Sequence, residues 1–141
     1  MCLNVFIAAD RKLPTIAWNP LDPSMYIRPV DEMDPDVGEV FSKRHVYFVG
    51  SHEGCGDGFR FGLDPARTAA DREREERSRT SVDRLAAYLD SVADKSSIEI
   101  FARWSSEPAS RNGAATPFDT AAMRAEAFSF PENELLIIER A

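Results

Sequence analysis

The stretch Gly50–Phe59, GSHEGCGDGF, holds four glycines, one of the two cysteines and one of the two histidines of a 141-residue chain. His52, Cys55 and Asp57 would offer a divalent metal ion nitrogen, sulfur and oxygen donors, and Glu53 between them is a further carboxylate. A single turn supplies two or three ligands, so another donor has to come from elsewhere. His45 is too far away: seven residues of extended chain at about 3.3 Å each put it roughly 20 Å from His52. Cys2 can reach the loop only if the strand that it begins runs antiparallel to the strand beginning at His45.

The same residues suit a thiol nucleophile. Cys55 lies between two glycines, where it is expected to be accessible, and His52 three residues away would draw off its proton, aided by Glu53 or Asp57. Cys2 sits in an apolar run and is expected to be shielded. Gly54, Gly56 and Gly58 permit backbone amides to converge on an anion, with Arg60 beside them as a ligand-binding cation. Their spacing matches neither a P-loop nor a dinucleotide fingerprint, so nucleotide binding is not expected. Against all three chemistries stands a plain glycine turn whose polar side chains face water.

The loop needs elements to hold it. Cys2–Ala9 (CLNVFIAA) is almost continuously apolar, which predicts a central strand covered on both faces. The segment from Asp10 to Gly38 carries most of the nine prolines, so it reads as ordered loop with only an edge piece, Tyr26–Val30, able to pair. Its Trp18, Met25 and Tyr26 are expected to cover an end of the core. His45–Gly50 (HVYFVG) reads as a strand that ends where the glycine loop starts.

Asp64-Pro65 predicts a helix start, and one long helix is expected to continue to about Lys95. Val82, Leu85, Ala86, Leu89, Val92 and Ala93 form an apolar stripe in its second half, whereas Asp71, Glu75 and Ser78 continue that stripe backwards, so only the second half is expected to pack. In the charge run Asp71–Arg79, Glu73 precedes Arg77 and Glu75 precedes Arg79 at the pairing interval of a solvated helix. Thr80-x-x-Asp83 is an alternative cap that would split the helix in two. Ser97–Trp104 alternates as a half-buried strand, and Glu134–Arg140 (ELLIIER) reads as a last strand beside Phe128–Phe130 or the first strand. The fold expected is α+β: one domain over residues 1–141, with a single mixed sheet of four to five strands, one long helix on one face and a β-α-β crossover. The glycine loop then lies at the carboxyl edge of the crossover strands, where ligands usually bind.

Seventeen basic and 24 acidic residues give a net charge of −7, which repels nucleic acid and anionic membranes. No apolar run is long enough for a transmembrane helix and no basic leader precedes MCLNVFIAAD, so a cytoplasmic protein is expected. Two cysteines without a Cys-x-x-Cys spacing imply no disulfide framework. MCLNVFIAADR resembles the start of N-terminal-nucleophile hydrolases. That resemblance implies a cysteine exposed by removal of the initiator, and a two-sheet sandwich larger than 141 residues with one helix readily complete. MCLNVFIA and VYFVGSHEGCGDGF together resemble a family of small bacterial proteins of unknown function, which implies no site residues. The functional expectation is a small cytoplasmic module that binds a small molecule or a protein partner through Gly50–Phe59. The alternative is an enzyme with a Cys55/His52 thiol site or a metal-assisted one.

Overall fold

The structure, a computed structural model, describes residues 2–30, 36–93, 96–111 and 113–139. Among the described residues, six strands form one mixed sheet in the order β2-β3-β1-β4-β6-β5. These are β1 (Leu3–Ala9), β2 (Met25–Pro29), β3 (His45–Ser51), β4 (Ile98–Trp104), β5 (Thr116–Pro117) and β6 (Leu136–Ile138). The long helix α1 (Ala69–Ala93) follows β3 and precedes β4. The count exceeds the expected four to five because the polar connection before residue 118 contributes β5, a two-residue strand parallel to β6.

β1 is central, as its continuous apolar character requires, with β3 and β4 each antiparallel to it. β3 and β4 are therefore parallel to one another but not neighbours, and β3-α1-β4 is a crossover that straddles β1. β2 is an edge strand, and among the described residues its outer side is met by the Ile16–Ile27 bridge. β6 pairs with β4, not with β1 or Phe128–Phe130. Phe128 bridges Phe61 instead. Arg140 and residues 94–95 lie outside the described residues, as do residues 31–35 of the proline-rich segment. A single sheet differs from the two-sheet sandwich implied by the hydrolase-like N-terminus.

Period-two alternation splits β1 between two cores. Leu3, Val5, Ile7 and Ala9 join Val49, Ile100 and the helix residues Val82, Leu85, Leu89 and Val92. Phe6 and Ala8 join Phe48, Phe101, Val37, Phe41, Leu135 and Cys55 on the other face. The second face corrects the half-buried reading of β4: Glu99 and Arg103 are 2% and 6% exposed. Glu99 accepts hydrogen bonds from the Ser42 amide, the Ser42 hydroxyl and the Lys43 amide, while Arg103 pairs with Asp36 and donates to the Glu107 carbonyl. Buried charge is tolerated here because each group is paired or hydrogen-bonded.

α1 is one continuous helix and begins later than Asp64-Pro65. Thr68 and Asp71 form its capping box: the Asp71 amide donates to Thr68 Oγ1 and the Thr68 amide donates to the Asp71 carboxylate. Thr80 Oγ1 donates within the helix to the Glu76 carbonyl, so Thr80-x-x-Asp83 starts nothing. The first half is solvated apart from the buried Ser78. Glu73 pairs with Arg77 at 2.6 Å. Glu75 instead accepts from the Gly62 amide, and Arg79 stacks on Phe61. Among the described residues no helix is long and apolar enough to cross a membrane.

Candidate metal centre

Because β1 is antiparallel to both crossover strands, its first residues emerge at the edge where β3 and β4 end. Cys2 is tied there, its amide donating to Ser105 Oγ at 3.2 Å and its carbonyl accepting from the Ser105 amide at 2.8 Å. The chain leaving β3 turns back toward the same point. Ser51 is the hub of that turn: its amide and hydroxyl donate to the Cys55 carbonyl, and its hydroxyl accepts from the Glu53 and Gly58 amides. Gly54 takes the left-handed conformation that closes the turn, at φ +88°. Tyr26 fixes the turn from β2, its hydroxyl donating to the Gly54 carbonyl.

Gly56 brings the loop against β1. A Cβ there would overlap the Leu3 carbonyl and stand 2.7 Å from Val5 Cγ2, so only glycine lets the backbones approach this closely. Asp57 completes the junction, its Oδ1 accepting from the Leu3 amide at 2.8 Å. The result is a cluster of three potential ligand atoms, from Cys2, Cys55 and Asp57, all within 4.8 Å of one another. The antiparallel condition for Cys2 is therefore met, and Cys2 takes the place that His52 held in the expected ligand set.

His52 turns the other way, toward α1. Its backbone N–H donates to Ser81 Oγ at 3.3 Å, and its Nδ1 lies 2.9 Å from the same oxygen, while Ser81 Oγ donates to the Ser24 carbonyl at 2.6 Å. On its other side, His52 Nε2 lies 3.5 Å from Glu53 Oε1. Burial lowers the His52 pKa, with Arg77 adding to the effect and Glu53 opposing it. The order Ser81–His52–Glu53 looks like a hydrolytic relay, but Ser81 is 0% exposed and its proton is already committed. It cannot meet a substrate.

Cys55 and His52 are thus not brought together: His52 makes no hydrogen bond to Cys55, whose side chain joins the apolar cluster on the opposite face. The expected contrast between the thiols is reversed. Cys55 is 8% exposed, whereas Cys2 is half-buried. Burial, the neighbouring Cys2 thiol and the Asp57 carboxylate push the Cys55 thiol up to about 12, so it holds its proton at neutral pH.

Gly58 packs against Ser51 Oγ and the His52 ring. Arg60 is exposed and lines a polar groove of about 330 Å³ with Asp57, Asp64 and Glu75. No anion-binding convergence of the Gly54, Gly56 and Gly58 amides is evident: the Gly54 and Gly58 amides donate to the Ser51 carbonyl and hydroxyl within the turn. Trp18 does not cover the core; it is 46% exposed and stands edge-on to Tyr26. No protein-family model, curated protein or solved structure matches this chain, so the site is read from its own geometry.

Proposed function

We propose that this chain is a small metal-binding module that holds one thiophilic cation of the zinc class through Cys2, Cys55 and Asp57. The convergence of these three donors from two separate segments carries the reading. Two sulfurs on one tetrahedral ion at about 2.3 Å lie about 3.8 Å apart, so rotation of side chains spaced within 4.8 Å suffices to close the set. Thiolates favour zinc or a copper(I)-like ion over magnesium and calcium, which take all-oxygen sites. Asp57 contributes its second oxygen while the first stays on the Leu3 amide, an outer hydrogen bond of the kind that orients metal ligands.

The electrostatics favour a cation over a free thiolate. A bare Cys55 anion would be buried beside Asp57, and a bound cation removes that penalty while displacing the thiol proton. The module is accordingly preferred to a Cys55/His52 thiol enzyme, since His52 is committed to Ser81. Three protein ligands leave a fourth position for water or a small-molecule ligand. A net charge of −7 suits a cationic ligand better than a polyanion, and a reducing cytoplasm keeps the thiols available.

A competition titration of reduced protein with zinc tests the proposal. One ion per chain is expected for the native sequence and for His52→Ala, with loss in Cys2→Ser and Cys55→Ser and weakening in Asp57→Asn. Absence of stoichiometric zinc, or undiminished binding by Cys55→Ser, overturns it.

A further inference from the structure

We infer that Cys2 and Cys55 form a redox latch on this site, closing to a disulfide that ejects the cation and reopening to the two thiols that receive it. The gating half rests on the metal reading above; the pairing rests on geometry alone. Both cysteines are free, and their sulfurs lie within 4.8 Å. Both backbones are tied, Cys2 to Ser105 and Cys55 to Ser51, so the two sulfurs are held near one another by the fold.

Exposure sets the order of events. Half-buried Cys2 is the more exposed of the two, so it is the sulfur a reagent meets first, while Cys55 is 8% exposed. The oxidant is a low-molecular-weight disulfide of the glutathione type. Cys2 gives up its proton and attacks one sulfur of that disulfide. The small S–S bond breaks, and one half leaves as a thiol after taking up a proton. Cys55 then loses its proton and attacks the Cys2 sulfur of the mixed disulfide, releasing the second half as a thiol. Two protein thiols are oxidised and one small disulfide is reduced to two thiols, a balanced two-electron exchange. A cation held by both sulfurs occupies the lone pairs this attack needs, so metal and oxidant compete for one pair of atoms. Asp57 alone cannot retain the ion once the pair is joined.

The test treats metal-free reduced protein with oxidised glutathione and follows intact mass, peptide maps and zinc titration. The expected product is two hydrogens lighter, joins the Cys2 and Cys55 peptides of one chain, and carries no disulfide between chains. Its zinc affinity falls by more than the roughly 10–100-fold that loss of an outer-shell partner costs. Zinc added first slows the reaction. In Cys2→Ser, whose changed side chain is not in the sealed core, Cys55 stays unmodified over the time in which the native protein is fully oxidised. A glutathione adduct persisting on Cys2, a disulfide-linked dimer, or an oxidised protein that binds zinc as well as the reduced one overturns the latch. No internal disulfide with normal zinc binding removes the latch and leaves the metal site. A normal disulfide with no zinc on the reduced protein removes both the gate and the metal reading.

Discussion

Replacing Gly56 with alanine tests whether the glycine loop is pressed against β1, on which the position of Cys55 depends. The added Cβ would overlap the Leu3 carbonyl and stand 2.7 Å from Val5 Cγ2, where ordinary contact is 3.4–4 Å. β1 cannot yield, since β3 and β4 hydrogen-bond to both its edges and Val5 is 0% exposed. The loop has to withdraw by about 1 Å, which forces overpacking costs of about 1–3 kcal/mol. Withdrawal also breaks the bond from the Leu3 amide to Asp57, leaving a partly buried donor unpaired at about 1–3 kcal/mol. Together these come to about 2–6 kcal/mol, or a fall in Tm of about 7–20 °C for a chain of this size. Urea unfolding monitored by circular dichroism reads the loss as a lower midpoint at unchanged slope. Two controls calibrate it. Gly38→Ala meets open space and should change stability by less than about 0.5 kcal/mol. Gly54→Ala meets no atom but is strained at φ +88°, for about 1–2 kcal/mol. If Gly56→Ala is as stable as Gly38→Ala, the loop does not touch β1 and the convergence of Cys2 with Cys55 is wrong.

Further outcomes follow from the buried and paired groups. Limiting iodoacetamide near neutral pH should label Cys2 well before Cys55, because a buried thiol raised to about 12 has roughly 3,000-fold less thiolate than an unperturbed one near 8.5; earlier labelling of Cys55 contradicts its burial. The folded pKa of Cys55 lies above its unfolded value, so stability is full below about pH 8.5 and falls as pH rises toward about 12. Cys55→Ala should flatten the part of that alkaline limb below about pH 10, where Tyr88, also raised to about 12 by burial, begins to contribute. Asp36 is held below the usual carboxylate range by the Ala109 amide and also by the Arg103 guanidinium, so its stabilisation is present above about pH 3.9 and lost as pH falls through the folded value. Asp36→Asn should therefore cost about 1–2 kcal/mol at pH 7, a figure reduced by solvent screening of the half-exposed carboxylate, and the two proteins should converge on acidification.

What the sequence made legible and what it hid divide along physical lines. The almost continuously apolar run of β1 announced a strand buried on both faces, and the stripe from Val82 to Ala93 announced the packed half of α1. Alternation in β4 misled because Glu99 and Arg103 read as solvent-facing, while the groups that satisfy them include Asp36, Ser42 and Lys43 from a distant segment. Asp64-Pro65 carried a strong helix-start pattern, yet Thr68 and Asp71 make the reciprocal bonds. The glycine loop stood out as a concentration of metal-capable side chains, but period-two patterning is blind to strand direction, so it did not reveal that Cys2 ends beside Cys55. Nor did anything mark Ser81, a small polar residue within a helix, as the partner that draws His52 away.

The most direct measurement is X-ray absorption at the zinc edge of the reduced protein loaded with one equivalent of zinc. The account predicts two sulfur scatterers at about 2.3 Å, with the remaining ligands oxygen at about 2.0–2.2 Å and no imidazole pattern. A first shell without sulfur, or one showing imidazole from His52, would contradict it.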